Sequence, residues 1–258
     1  MKKKNKQYIN VPNLFTAINL FCGFLSIIMT LGGGYANAAW LIIMASFFDA
    51  LDGRIARFTG VSSEFGLQMD SLADVVSAGV APAVLVYEFH LRSLGNHLAL
   101  GAMVAFLPLL FACFRLARFN VISHAEGHRA DYMGMPAPMA ASTIGSVVIL
   151  YSHTEWQFLL RFLVVLVPLV SLAMASQLTY EGFPHFNIRE RGKNRFKLLF
   201  MFASIICVII VPEYTVFLVA MVYLSSGPFS FVKKLISNQR YQEKPPASGD
   251  TIQPSENM

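Results

Sequence analysis

Long apolar runs separated by short basic stretches leave this chain few ways to fold. The runs fall at 12–30, 36–57, 66–89, 96–118, 137–153, 156–177, 196–212 and 214–232. Most have the roughly 17 to 25 residues that a helix rising about 1.5 Å per residue needs to cross a bilayer; the fifth and seventh are short. In hydrocarbon, backbone N–H and C=O groups must find partners within the protein, which a helix supplies for itself. Only 14% of the residues are charged and 55% are hydrophobic, against roughly 25% charged in an average soluble domain. The expectation is an all-α, polytopic transmembrane bundle of about eight spans.

Orientation follows from the cations, because short loops rich in Lys and Arg stay in the cytoplasm. With the N-terminus inside, Lys2, Lys3, Lys4, Lys6, Arg54, Arg57, Arg115, Arg118 and Arg129 fall on the inner side. So do the cluster from Arg189 to Lys197 and the later Lys233, Lys234, Arg240 and Lys244, making 18 of the 20 Lys and Arg. Arg92 and Arg161 are left on the outer side. This predicts a multi-pass protein of the cell inner (cytoplasmic) membrane with both termini in the cytoplasm. The net charge of +5 does not argue for nucleic acid, since the basic residues lie between apolar spans without aromatic interleaving.

Smaller stretches complete the outline. Residues 1–11 are a basic juxtamembrane segment, suited to an anionic leaflet or to topological anchoring. The loop 178–195 is basic and expected at the membrane surface. The polar stretch 241–258, with Pro245 and Pro246, is expected to be disordered. Cys22, Cys113 and Cys207 sit in apolar runs with no CxxC pattern and read as small hydrophobes in the bundle. No HExxH, GxGxxG, Walker A or GxSxG pattern occurs.

Residues 49 to 74 interrupt the apolar pattern with four aspartates at the inner ends of two adjacent spans. An ionisable group at membrane depth costs on the order of a few kcal/mol and marks a functional site. Asp49 and Asp52 are three residues apart on the end of one helix, and Asp70 and Asp74 are four apart on the start of the next. Each pair therefore projects from one helix face. Two such pairs facing each other form an oxygen cage for a hard cation such as Mg²⁺, Mn²⁺ or Ca²⁺. Without a cation, four acids so close could not all stay ionised.

Other residues join this end of the bundle. Asn13, Thr16, Asn19 and Gly23 recur along the first span as a polar or small stripe that should face the interior. Such a stripe serves either interhelical hydrogen bonds or a polar ligand cavity. Gly66, Asp70, Asp74, Ala78 and Ala81 share a face of the third span, and Pro82 predicts a kink in it. Arg115 and Arg118 end the fourth span, as topological anchors or, beside a metal site, as groups shaped for carboxylate and phosphate.

Taken as a unit, the central stretch reads D-x-x-D-G-x-x-A-R-x8-G-x3-D-x3-D, filled by Asp49, Asp52, Gly53, Ala56, Arg57, Gly66, Asp70 and Asp74. It resembles the signature of the CDP-alcohol phosphatidyltransferase family. Pro12 to Thr16 with Asn19, the run Arg115 to Asn120, and the run Gly134 to Pro138 look like that family's phosphatidylserine synthase branch. The resemblance covers about residues 8 to 175. It implies a six-helix catalytic core over 12–177, two extra C-terminal helices over 196–232, and a homodimer.

The resemblance also implies a reaction: transfer of the phosphatidyl group from CDP-diacylglycerol to the hydroxyl of L-serine, with release of CMP. Asp49, Asp52 and Asp70 would hold two divalent ions, Mg²⁺ or Mn²⁺, with Asp74 near them and acting as the catalytic base. Asp52, Gly53, Ala56, Arg57 and Gly66 would line the CDP site, closed from the first helix by Asn13 and Thr16. Serine carries a carboxylate, which Arg118, helped by Arg115 and supported by Asn120, is expected to bind. A sibling enzyme would use glycerol 3-phosphate, inositol phosphate or choline as acceptor. A cation transporter would place its acids nearer the bilayer midplane, often within a repeat, and no second copy of the motif is present.

Overall fold

The structure, a computed structural model, describes residues 11–59, 64–92, 98–126, 134–176, 178, 180 and 210–242. Among these residues all regular structure is helical: α1 (Val11–Leu31), α2 (Tyr35–Thr59), α3 (Glu64–Asp74), a π-helical turn (Val75–Val80), α4 (Ala81–Phe89), α5 (Leu98–Glu126), α6 (Ala137–Thr154), α7 (Phe158–Ala175) and α8 (Pro212–Gln242). Five stretches are long and apolar enough to cross a membrane: Asn13–Leu31, Glu64–Phe89, Ala99–Val121, Phe158–Ala175 and Pro212–Phe231. The chain is a multi-pass membrane protein.

The expected spans 36–57 and 137–153 are occupied by α2 and α6, of 25 and 18 residues. α6 is more polar because the protein surrounds it, whereas α2 carries Asp49, Asp52, Arg54 and Arg57 in its last turns and keeps Met44 and Phe47 exposed. α2 packs between α1 and α6, while α6 also meets α7 and α8. Every residue of α6 from Thr143 to Leu150 is buried, and the hydroxyl of Ser146 donates to the Thr143 carbonyl at 2.7 Å. The expected span 196–212 falls almost wholly outside the described residues, as do 1–10 and the tail from 243.

Small residues set how closely the helices approach, as is usual where lipid removes the hydrophobic drive between them. Ala38, Ala39 and Ala45 of α2 are buried, as are Ala140 and Ala141 of α6. A Cβ on Gly145 would lie 3.4 Å from the Ala39 carbonyl oxygen. Cys22 is buried in this packing, but Cys113 lies on the outer surface of α5 and not within the bundle; Cys207 is outside the described residues.

The distortion expected at Pro82 takes the form of the π-helical turn just before it, where the Ala81 N–H bonds to the Val76 carbonyl five residues back. Pro82 then enters in the first turn of α4, where a missing N–H is easiest to accommodate. Ala78 and Ala81 pack in the core. α1 crosses the π-helical turn at backbone contact, since a Cβ on Gly23 would sit 2.7 Å from Ser77 Cα. Gly23→Ala is therefore expected to destabilise the bundle by about 1–3 kcal/mol. A lowered melting midpoint of the detergent-solubilised protein would register this; an unchanged midpoint would mean the close approach is not required.

The bundle has two chemically distinct ends. At one end, Tyr35 and Tyr151 each meet Phe89 edge-on with centroids 5.3 Å apart, and His153 meets Tyr214 at 5.7 Å. Such rings suit a membrane interface. Arg92 pairs with Glu88 here at 2.7 Å. The aspartates occupy the opposite end, because α4 carries the chain away from Asp74 at about 1.5 Å per residue.

Candidate active site

α2 delivers Asp49 and Asp52 on its last turns, and α3 delivers Asp70 and Asp74 as the chain re-enters the bundle. Carboxylate oxygens of Asp49, Asp70 and Asp74 all lie within 4.8 Å of one another. Asp74 is buried, while Asp49 and Asp70 are half-buried. Asp52 is also buried but turns toward α1, where the Thr16 hydroxyl donates to its Oδ2 at 2.8 Å. One turn further along α1, the Asn19 amide Nδ2 donates to Asp74 Oδ1 at 3.1 Å.

The stripe on α1 thus makes interhelical hydrogen bonds at Thr16 and Asn19, and again at Ser26, whose hydroxyl donates to the Ala38 carbonyl at 2.8 Å. Asn13 is half-buried at the start of the same helix. Gly53 and Ala56 lie on the end of α2 and Gly66 on the first turn of α3, each half-buried. Arg57 falls where side chains lie outside the described residues.

These residues fit a divalent cation. Oxygens about 2.0–2.6 Å from a shared ion lie at most about 4–5 Å apart, which the carboxylates of Asp49, Asp70 and Asp74 satisfy. Asp70 Oδ1 is buried without a hydrogen-bond partner, a hard acceptor left open within the cluster. An unpaired buried acceptor costs about 1–3 kcal/mol, so its presence here is what a ligand-binding cage requires. The acidic triad can hold a metal ion.

The two arginines of α5 part company. Arg115 has Asp74, Asp49, Tyr223 and Arg118 as its electrostatic neighbours, and its Nε is buried without a hydrogen-bond partner. Arg118 is engaged by α7 and the segment before α6: its Nη1 donates to the Ala175 carbonyl at the end of α7 at 3.2 Å, and its Nη2 lies over Gly134. Gly134 has φ +82°, and a Cβ there would collide with the Met174 carbonyl. Asn120 bonds Ser71 on α3. Its Nδ2 donates to Ser71 Oγ at 3.0 Å, and that hydroxyl also bonds the Leu67 carbonyl at 3.1 Å, fastening α5 to α3 beside Asp70.

Two further residues stand at this end, one on the α1 stripe and one that no motif marks. Asn19 carried a signal, being one turn from Thr16 on the same stripe. Tyr223 carried none: α8 brings it beside Arg115, and its ring stacks on buried Tyr180 with centroids 5.7 Å apart. Only tertiary packing makes that contact.

Comparison with known proteins extends this picture. The sequence model of the family described as CDP-alcohol phosphatidyltransferase matches residues 9–172. A CDP-diacylglycerol–serine O-phosphatidyltransferase of Helicobacter pylori is 34% identical over 200 residues, spanning 76% of this chain and 81% of that protein. The archaetidylserine synthase of Methanothermobacter thermautotrophicus is 35% identical over 180 residues, spanning 69% of this chain and 72% of its own length. A CDP-diacylglycerol–serine O-phosphatidyltransferase of Methanocaldococcus jannaschii is 29% identical over 232 residues, spanning 88% of this chain and 97% of that protein. The matched segment contains all four aspartates and both arginines of α5 and leaves out α8. With its signature residues gathered at one end of a helical bundle and more than half its length matched, the chain belongs to the CDP-alcohol phosphatidyltransferase family.

Proposed function

We propose that this protein is a phosphatidylserine synthase, transferring the phosphatidyl group of CDP-diacylglycerol to the hydroxyl of L-serine and releasing CMP. The observation that carries this reading is the convergence of Asp49, Asp70 and Asp74 with the half-buried Arg115 beside them, its Nε buried. Carboxylates and a guanidinium together suit an acceptor that carries both a hydroxyl to be deprotonated and a carboxylate to be held. The relatives that act on serine support the same acceptor.

Divalent ions, Mg²⁺ or Mn²⁺, supply charge neutralisation at the pyrophosphate when bound. Asp49, Asp70 and Asp74 would hold them, with Asp52 contributing to a second ion. Asp74 takes the proton of the serine hydroxyl as that oxygen attacks the phosphorus of the phosphatidyl group. The bond from this phosphorus to the oxygen bridging to CMP breaks, and CMP departs with the electron pair. Arg115 pairs with the serine carboxylate, while Arg118 holds α5 against α7 and Asn120 holds it against α3. Gly53, Ala56 and Gly66 let the nucleotide approach the backbone, Arg57 pairs with its phosphate, and Asn13 closes the pocket from α1.

The acids then open on the cytoplasmic face of the inner membrane, where serine arrives from water while the acyl tails stay in lipid. Both termini lie on that face, and the family resemblance favours a homodimer. The test is one assay of the purified protein with CDP-diacylglycerol and Mn²⁺ or Mg²⁺. Serine, glycerol 3-phosphate, inositol phosphate and choline are offered separately. CMP release that requires metal and serine is the expected result; release with another acceptor and not with serine would overturn the choice of acceptor.

A further inference from the structure

The acid pairs come from α2 and α3, yet α1 touches both. Thr16 Oγ1 donates to Asp52 Oδ2 at 2.8 Å and Asn19 Nδ2 donates to Asp74 Oδ1 at 3.1 Å. The two donors are one helical turn apart on one face, and both side chains are buried, Asn19 completely. Gly23 continues that face and seats α1 on the backbone of Ser77, three residues beyond Asp74. The depth and rotation of α1 against the acids are therefore set by backbone contact, and its two donors are fixed with it.

A carboxylate with one oxygen held by a buried donor loses its freedom to swing, so its remaining coordination directions are aimed. We propose that Thr16 and Asn19 are positioning residues that orient Asp52 and Asp74 for the divalent ions, making α1 the frame that registers the α2 acids against the α3 acids. The inference rests on the metal reading of the acid cluster. Outer-shell partners of this kind change metal affinity about tenfold to hundredfold when removed, because the ligand they held must be ordered again on binding. If Thr16 and Asn19 served only to join helices, their loss would lower the melting midpoint and leave cation affinity as it was.

The test is Mn²⁺ binding to the full-length, detergent-solubilised protein without substrate, read from the electron paramagnetic resonance signal of free Mn²⁺. A melting curve is recorded for each variant. Thr16→Val and Asn19→Leu, both close in shape to the native residues, are expected to weaken Mn²⁺ binding by about tenfold or more. Thr16→Ser keeps the hydroxyl and is expected to bind within about threefold of the wild type. Should Asn19→Leu not fold, the Thr16→Val and Thr16→Ser pair decides by itself. Wild-type affinity in Thr16→Val would overturn the inference alone, whereas a wild-type chain that binds no Mn²⁺ would overturn the metal reading and the inference with it.

Discussion

Asp74→Asn is expected to lower serine-dependent CMP release by about a thousandfold while CDP-diacylglycerol still binds. Asn matches Asp in size but does not take up a proton, so the substitution removes the base without opening a cavity. Positioned general bases contribute typically about 10²- to 10⁴-fold, and loss of a carboxylate beside the cations adds to the deficit. Asp74 is also the buried member of the triad and the acceptor of the Asn19 bond, so its orientation is the most constrained of the three. The measurement pairs turnover at saturating Mn²⁺ with binding of labelled CDP-diacylglycerol to the purified variant. Retained turnover would remove Asp74 as the base. Loss of lipid binding together with turnover would assign it to substrate binding instead.

The second large effect separates the arginines. Arg115→Ala is expected to raise the serine concentration for half-maximal rate by about tenfold to hundredfold. A hydrogen bond to a charged group is worth about 1.5–3 kcal/mol, and every 1.4 kcal/mol is tenfold. Arg118→Ala is expected to act first on stability, because its guanidinium bonds the carbonyl of Ala175 at the end of α7. It should lower the melting midpoint and shift the serine requirement less than Arg115→Ala does. Steady-state kinetics at varied serine, with a melting curve for each variant, check both. A larger serine effect at Arg118 would overturn the assignment drawn from the structure and restore the order expected from the sequence.

That pair illustrates how far the sequence could be read. Arg115 and Arg118 are three residues apart near the end of one helix, and spacing alone places them on one face. It does not say which neighbours each long side chain will meet. Those neighbours come from α7 and α8, whose placement depends on packing across the whole bundle: Arg118 meets Ala175, and Arg115 has Tyr223 at its side. Asp52 is similar. Its place in the motif groups it with the other three acids, each of which has it as an electrostatic neighbour, but the motif does not name the Thr16 hydroxyl that its Oδ2 accepts from on α1.

By itself the sequence determined that the chain is a membrane-embedded helical bundle and that Asp49, Asp52, Asp70 and Asp74 stand at one end of it. Both follow from local rules: the length that spans hydrocarbon, and the three- and four-residue spacing that puts acids on one helix face. The tertiary structure decided which acids converge, which arginine stands with them, and which residues hold them. The bond from Asn19 to Asp74 joins positions 55 residues apart. A helical period names the face a residue occupies but not the helix across from it, and that partner is chosen by where Gly23, Gly145 and the alanines let backbones touch.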